Sequence, residues 1–228
     1  MSDEQWRTFG SSLRAVHDSG LGAQFPGLLA VDTFTLPSAD LVRRLQATLE
    51  ASRFESPAAA RLATFWRENG GRIRQVLARA EELGTELRSR PFEPVLCHGD
   101  IHGANVLVGS DGQIFLIDWD GPPAPLLAPR ERDLIFIIGS RIAGVVEPDD
   151  EDRFFEGYGP VAIDSAALAY YRYERIIEDL GEFGQGVFGD PTLGEAARAE
   201  QVDLSVGVFD PDGDVARAEI VADRWRGA

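Results

Sequence analysis

Between Cys97 and Asp120 the sequence reads CHGDIHGANVLVGSDGQIFLIDWD. Asp100 closes a short apolar run and stands between His98 and His102; Asn105 follows, and Asp118 ends the last apolar run of the segment. "NVLVG" and "QIFLID" flank "GSDG", whose Asp111-Gly112 pair is a strong hairpin turn signal. The open end of a hairpin brings its two strands together, so Asn105 and Asp118 are expected to face one another. An amide oxygen beside a carboxylate is a hard-oxygen pair suited to Mg²⁺, which binds through few protein groups plus phosphate oxygens and water. Asp100 is then left as an unligated carboxylate beside a metal-held phosphate. That is the place of a base taking the proton from an attacking hydroxyl. The competing reading is a polar turn between two buried strands.

The motif carries a family resemblance. His98-Gly99-Asp100-Ile101-His102-Gly103-Ala104-Asn105, with Ile117-Asp118-Trp119-Asp120 after it, resembles the aminoglycoside phosphotransferases, small-molecule kinases with a protein-kinase-like fold. In that pattern H-G-D-x-x-x-x-N is the catalytic loop, and I-D-[WF] stands where protein kinases have D-F-G. The resemblance implies Asp100 as catalytic base and Asn105 and Asp118 as Mg²⁺ ligands. It makes His98 a brace of the loop and sets His102 next to the transferring phosphate. Asp133, in "RERDLIF", resembles the later aspartate that braces the catalytic-loop backbone. "LAPRERDL" and "YYRYERIIEDL" resemble the spectinomycin phosphotransferase branch, and "FGSSLRAVH" the first helix of the family's C-terminal lobe. ATP or GTP is the implied donor, and a polar hydroxylated or cationic small molecule the acceptor. "GDIHG" also resembles the D-x-H opening of calcineurin-like metallophosphoesterases, but no histidine follows His102 to complete that ligand set.

Helices must position this segment. Ser2 and Gln5 are spaced as a capping box, and Trp6, Phe9, Leu13 and Val16 recur at helical spacing. "SADLVRRLQATLEAS" and the stretch from Pro57 to Arg90 continue as helix, the latter as one helix or as two divided at Gly70-Gly71. No strand is expected before Val95. "GPPAPLLAPRER" should be a loop, because its prolines exclude regular ladders. "RDLIFIIGSRIAG" reads as a buried helix, and the remainder as a helical C-terminal half. The fold class expected is α+β and mostly helical: a protein-kinase-like C-terminal lobe carrying a catalytic hairpin, one lobe over residues 1–228.

Composition narrows the partners. The 228 residues carry a net charge of −16, which repels nucleic acid and anionic membrane. Neither a signal peptide nor a membrane span is legible, and one cysteine, Cys97, suits a reducing cytoplasm. Every basic residue among the 22 is arginine. The kinase N-terminal lobe, with its Gly-rich loop and strand lysine, is therefore expected to be absent, and the chain to begin after the hinge. Two readings follow: a catalytic lobe needing a separate nucleotide-lobe chain and nearly inactive alone, or a non-catalytic remnant that keeps the metal site. An open nucleotide cleft would expose apolar surface that a homodimer could cover.

Other candidates are weaker. Glu174, Glu178 and Glu182 share a helix face that could contact a cationic substrate, or could only be solvated. "VFDPDGDVARAE" approximates a calcium loop but has Val208 at its first ligand position, so a turn is expected. "EPDDEDRFFEGYG" reads as a solvated entry to a helix. His17 is expected to be a packed structural histidine, Cys97 a buried strand-end residue, and Trp6, Trp66 and Trp225 core filling. Trp119 is placed to pack behind the metal site.

Overall fold

The computed structural model describes residues 1–49, 54–120, 125–142 and 144–226. The proline stretch at 121–124 and the side chain of Trp225 lie outside the described residues. In chain order the elements are α1 (Asp3–His17), α2 (Leu21–Gln24), α3 (Ala39–Leu49), α4 (Pro57–Arg88) and β1 (Val95–Cys97). Then come β2 (Val106–Val108), β3 (Ile114–Leu116), β4 (Leu126–Ala128), α5 (Glu131–Leu134), α6 (Pro148–Tyr158), α7 (Ser165–Gly189), α8 (Glu195–Gly207) and α9 (Asp214–Arg226). They form two compact units: Met1–Thr33 with Arg90–Leu168, and Phe34–Ser89 with Ala169–Ala228. No linker announces this division, because the second boundary falls inside α7.

The first unit holds the motif. The Ser2–Gln5 capping box is formed, with Asp3 and Glu4 in the first turn where the helix dipole favours them. Trp6, Phe9, Leu13 and His17 form the buried stripe of α1. That stripe meets α6 at backbone distance. A Cβ added to Gly10 would lie 2.1 Å from the Phe154 carbonyl oxygen, and one added to Gly157 would lie 1.9 Å from that of Arg7. Only glycine permits this approach, which sets Phe9 edge-on to Phe154 and brings the C-terminal ends of both helices together. The two-stranded sheets are both antiparallel: β1 with β4, and β2 with β3 in the register Val106↔Leu116, Leu107↔Phe115.

Two expectations are corrected. Leu126–Ala128 is a strand rather than loop, pairing Cys97 with Leu126 and Val95 with Ala128. Pro125 and Pro129 flank the three paired residues without interrupting them, and Leu127 gains a second ladder from Ala30 and Asp32. The helix expected over "RDLIFIIGSRIAG" is only α5; Ile135–Ile137 are buried in turns beyond it.

In the second unit α4 runs 32 residues without a break at Gly70-Gly71. Its start is fixed by Ser56, whose hydroxyl accepts the Ala59 N–H at 3.1 Å, by Pro57, and by Glu195, which accepts the Ala58 N–H at 2.7 Å. Burial carries the rest. Leu62, Trp66, Ile73, Ala80 and Leu83 lie on one face with almost no exposure, each large apolar side chain contributing about 1.5–3 kcal/mol. No helix among the described residues is long and apolar enough to cross a membrane.

Candidate active site

The loop after β1 hangs on one carboxylate. Asp133, fully buried, accepts the His98 N–H on Oδ2 at 2.9 Å and the Gly99 N–H on Oδ1 at 2.7 Å. An ionised acceptor strengthens both bonds, and the paired donors offset the cost of burying the charge. Gly99 turns at φ 88°, a conformation that favours glycine.

His98 ties this loop to the hairpin. Its Nδ1 accepts the Asp100 N–H at 3.3 Å, which leaves the ring proton on Nε2, donated to the Ile117 carbonyl at 2.8 Å. Trp119 packs 4.5 Å from the same ring, and its Nε1 donates to the Leu116 carbonyl at 2.9 Å. The tryptophan thus sits behind the motif, as its position between two aspartates suggested.

Asn105 lies opposite Ile117 at the open end of the hairpin. Ile117 N–H donates to the Asn105 carbonyl at 3.0 Å, so Asp118 is the next residue past that pair. The Asn105 side chain is buried and its Nδ2 donates to the Asp100 carbonyl at 2.8 Å, which leaves its Oδ1 as the remaining donor atom for a cation. Asp118 is exposed and adopts φ 66°, a left-handed conformation rare for a residue with a Cβ. Such strain collects at functional sites. His102 caps the short turn Gly103–Asn105 by accepting the Ala104 N–H on Nδ1 at 3.2 Å, and its Nε2 lies 3.4 Å from Asp100 Oδ2. Asp100 and His102 keep 20% and 17% of their side-chain surface open to solvent. The arrangement is a loop of fixed backbone that carries the part-exposed Asp100 carboxylate, the buried Asn105 amide and the exposed Asp118 carboxylate.

Sequence reasoning missed the layer beneath it. His17 is packed, as expected, but it also bonds Asp133: its Nε2 lies 3.0 Å from Asp133 Oδ2 and its Nδ1 2.6 Å from the Tyr158 hydroxyl. Burial pushes the Tyr158 phenol up to about 12, so it stays protonated and donates to Nδ1, and His17 donates from Nε2 to Asp133. The helical period of Trp6, Phe9 and Leu13 predicts that His17 is buried, but no local signal names its partner. Cys97 completes a buried group with His17 and Asp133. Burial, followed by the Asp133 charge, pushes its thiol well above the ordinary range, and it donates toward the Ala128 and Pro129 carbonyls. These three side chains satisfy one another and the surrounding backbone; they brace the loop.

The remaining candidates lie elsewhere. Glu174 and Glu178 are on α7 in the second unit, and the face they share is not uniformly solvated: Glu174 is buried, 3.5 Å from the Tyr170 hydroxyl. "EPDDEDRFFEGYG" enters α6 through a Glu147–Asp150 capping box, and Glu151 accepts the Gly139 N–H at 2.9 Å. Around Asp210 the chain forms turns leading into α9, with Gly213 N–H donating to the Asp210 carbonyl at 2.9 Å.

Residues 2–121, more than half of the chain, match the phosphotransferase enzyme family. The chain belongs to that family. Two solved structures of spectinomycin phosphotransferase APH(9)-Ia resemble it throughout. The complex with ADP and spectinomycin is 31% identical with a TM-score of 0.84, covering 97% of this chain and 66% of that one. The AMP complex is 32% identical with a TM-score of 0.81, covering 96% and 66%. An aminoglycoside phosphotransferase from Alicyclobacillus acidocaldarius, at 15% identity and TM-score 0.59 over 100% of this chain and 68% of that one, shares the fold. No curated protein matches. The kinase-like fold class expected from the motif is therefore shown, and the chain spans about 66% of the length of the spectinomycin phosphotransferases it matches.

Proposed function

We propose that this chain is the catalytic wall of an ATP- or GTP-dependent small-molecule phosphotransferase. The observation that carries the reading is the convergence of Asp100, Asn105 and Asp118 on one loop and hairpin, with the loop backbone held from below by Asp133. Asp100 is the base that takes the proton from an acceptor hydroxyl as that oxygen attacks the γ-phosphorus. His102 stands beside Asp100, placed to donate from Nε2 toward the phosphoryl oxygens. His98 and Asp133 hold the loop so that the carboxylate is already oriented when substrates arrive, and orientation is most of what phosphoryl transfer requires.

The Asn105 amide oxygen and the exposed Asp118 carboxylate fit Mg²⁺ by donor type and number. Bound there, Mg²⁺ would neutralise charge on the nucleotide's phosphate oxygens. Leu107 and Phe115, cross-strand neighbours 53% and 47% exposed, give the hairpin an apolar flank beside these ligands on which a flat base could rest. The neighbouring spectinomycin phosphotransferases, solved with ADP and AMP, support a nucleotide in this role. For the acceptor, the half-buried Glu178 of α7 offers charge complementary to a cationic hydroxylated molecule such as spectinomycin.

The nucleotide-binding lobe of the reaction is supplied by a further segment or a partner chain. These 228 residues alone should therefore hold nucleotide weakly and transfer little phosphate. Calorimetric titration of ADP with and without Mg²⁺ tests the site: binding should be weak, Mg²⁺-dependent and abolished by Asp118→Asn. Binding indifferent to both Mg²⁺ and Asp118 would remove the metal assignment.

A further inference from the structure

The hydrogen bonds beneath the candidate catalytic loop form one directed chain, and its far end is an arginine. Asp133 accepts the His98 and Gly99 amides from the loop and His17 Nε2 from α1. His17 Nδ1 lies 2.6 Å from the Tyr158 hydroxyl of α6, and the Arg130 guanidinium bonds that same hydroxyl. A guanidinium only donates. The Tyr158 oxygen therefore accepts from Arg130 and sends its own proton to His17 Nδ1. This leaves the ring proton on Nε2, aimed at Asp133. At the near end an ionised carboxylate only accepts. Arginine and carboxylate together fix the sense of every bond between them.

Most of the chain is sealed. The side chains of His17 and Asp133 have no exposure and Tyr158 keeps 2%. Arg130 is the outer end, with 17% of its side chain open and Glu93 at 3.8 Å. Arg14 covers the Tyr158 ring, 5.4 Å from its centre. His17 and the His98 N–H share Asp133 Oδ2, whereas the Gly99 N–H takes Oδ1. The third donor fixes which way the carboxylate plane turns, so both oxygens stay aimed at consecutive loop amides. Asp100 is the next residue, with its own N–H on His98 Nδ1.

We propose that His17 is a positioning residue for the Asp100 base, acting through Asp133, with Tyr158 and Arg130 holding it as the donor. The role of Asp100 rests on the phosphotransfer reading; the state of the loop can be measured without nucleotide.

Amide exchange of the full 228-residue chain compares two replacements of His17. Glutamine can set an N–H toward Asp133 and its oxygen toward Tyr158, whereas leucine fills a similar volume with neither. Exchange at His98, Gly99 and Asp100 should rise at least about tenfold in His17→Leu, as for loss of a bond to a charged group, and stay within about threefold of the parent in His17→Gln. Leucine protecting these amides as well as glutamine would show packing alone and overturn the assignment. Imidazole ¹⁵N signals of the parent chain test the direction even where leucine prevents folding. The chain has three histidines, and His17→Gln identifies the signals to follow. His17 Nε2 should be the protonated nitrogen and Nδ1 the acceptor; the reverse tautomer would overturn the proposal. Arg130→Met, at a part-exposed position, should move the Nδ1 signal, and an unmoved signal would overturn the part given to Arg130. These readouts need no nucleotide, so their failure is separable from failure of Mg²⁺-dependent ADP binding, which counts against the phosphotransfer reading alone.

Discussion

Replacing Asp133 with asparagine tests the brace beneath the catalytic loop. The carboxylate receives the His98 and Gly99 N–H groups and His17 Nε2 at 2.9, 2.7 and 3.0 Å, in a fully buried position. Asparagine keeps one acceptor oxygen and turns an amide NH₂ toward the donors that used the other. With its oxygen in the Oδ2 place asparagine loses the Gly99 bond, and in the Oδ1 place it loses the other two; each charge-assisted bond is worth about 1.5–3 kcal/mol. Breaking a buried charged group from its partners costs about 3–5 kcal/mol. One or two lost bonds give about 1.5–6 kcal/mol, a range that contains the second figure, and either is a large share of the ~5–15 kcal/mol that holds a domain together. Urea unfolding followed by circular dichroism measures the total. Amide exchange at His98 and Gly99 locates it, since these protons should lose protection before the rest of the unit. A cost below about 1 kcal/mol, with exchange at both amides unchanged, would refute the reasoning.

Further perturbations probe the support and the second unit. Gly157→Ala should destabilise the first unit by more than about 2 kcal/mol, because its methyl would overlap the Arg7 backbone and neither helix can yield; a thermal melt within a degree of the parent would contradict this. Tyr158→Phe removes the donor to His17 Nδ1 and the hydroxyl that Arg130 bonds, and should cost about 1–2 kcal/mol in urea, less than Asp133→Asn. Burial, with Glu178, Asp214 and Glu182 adding and Arg175 opposing, pushes Asp179 from its ordinary 3.8 up to about 7. A carboxyl raised in the folded state contributes stability that is complete below its unfolded value and is lost as pH rises through the folded one. Asp179→Asn, neutral throughout, should therefore gain stability relative to the parent between pH 4 and 8, by about 2–4 kcal/mol. Unfolding at the two ends of that range reads the difference, and a flat difference would show that Asp179 ionises normally.

Much of this site was legible because its signals are local. Asp111-Gly112 fixes the hairpin turn, the turn fixes the register, and the register sets Asn105 against Ile117 with Asp118 next. His98 bonds the Ile117 carbonyl and Asp133 the His98 and Gly99 amides, positions the motif had singled out. What stayed hidden was non-local. His17 and Tyr158 stand 141 residues apart, and their meeting depends on Gly10 and Gly157 letting two helices touch at the backbone. No periodicity in either helix encodes a partner on the other. The prolines around Leu126–Ala128 argued correctly against a long ladder, yet three residues between two of them suffice for a strand when β1 is there to pair. Gly70-Gly71 suggested a break because intrinsic propensity was weighed without the core face of α4, where Trp66, Ile73 and Leu77 hold the helix through it.

Phosphoryl transfer is the central claim, and one assay tests it most directly. The nucleotide lobe of the spectinomycin phosphotransferase, joined to the N-terminus of this chain, would be incubated with Mg²⁺, ATP and spectinomycin, and the product followed by mass spectrometry. The joined protein should form phosphorylated spectinomycin while the 228-residue chain alone forms little or none, and Asp100→Asn should lower the rate of the joined protein by about 10²–10⁴, the range of a lost general base. A joined protein that binds Mg²⁺ and ATP but phosphorylates no hydroxylated acceptor, or one that works equally well with Asp100→Asn, would contradict the account.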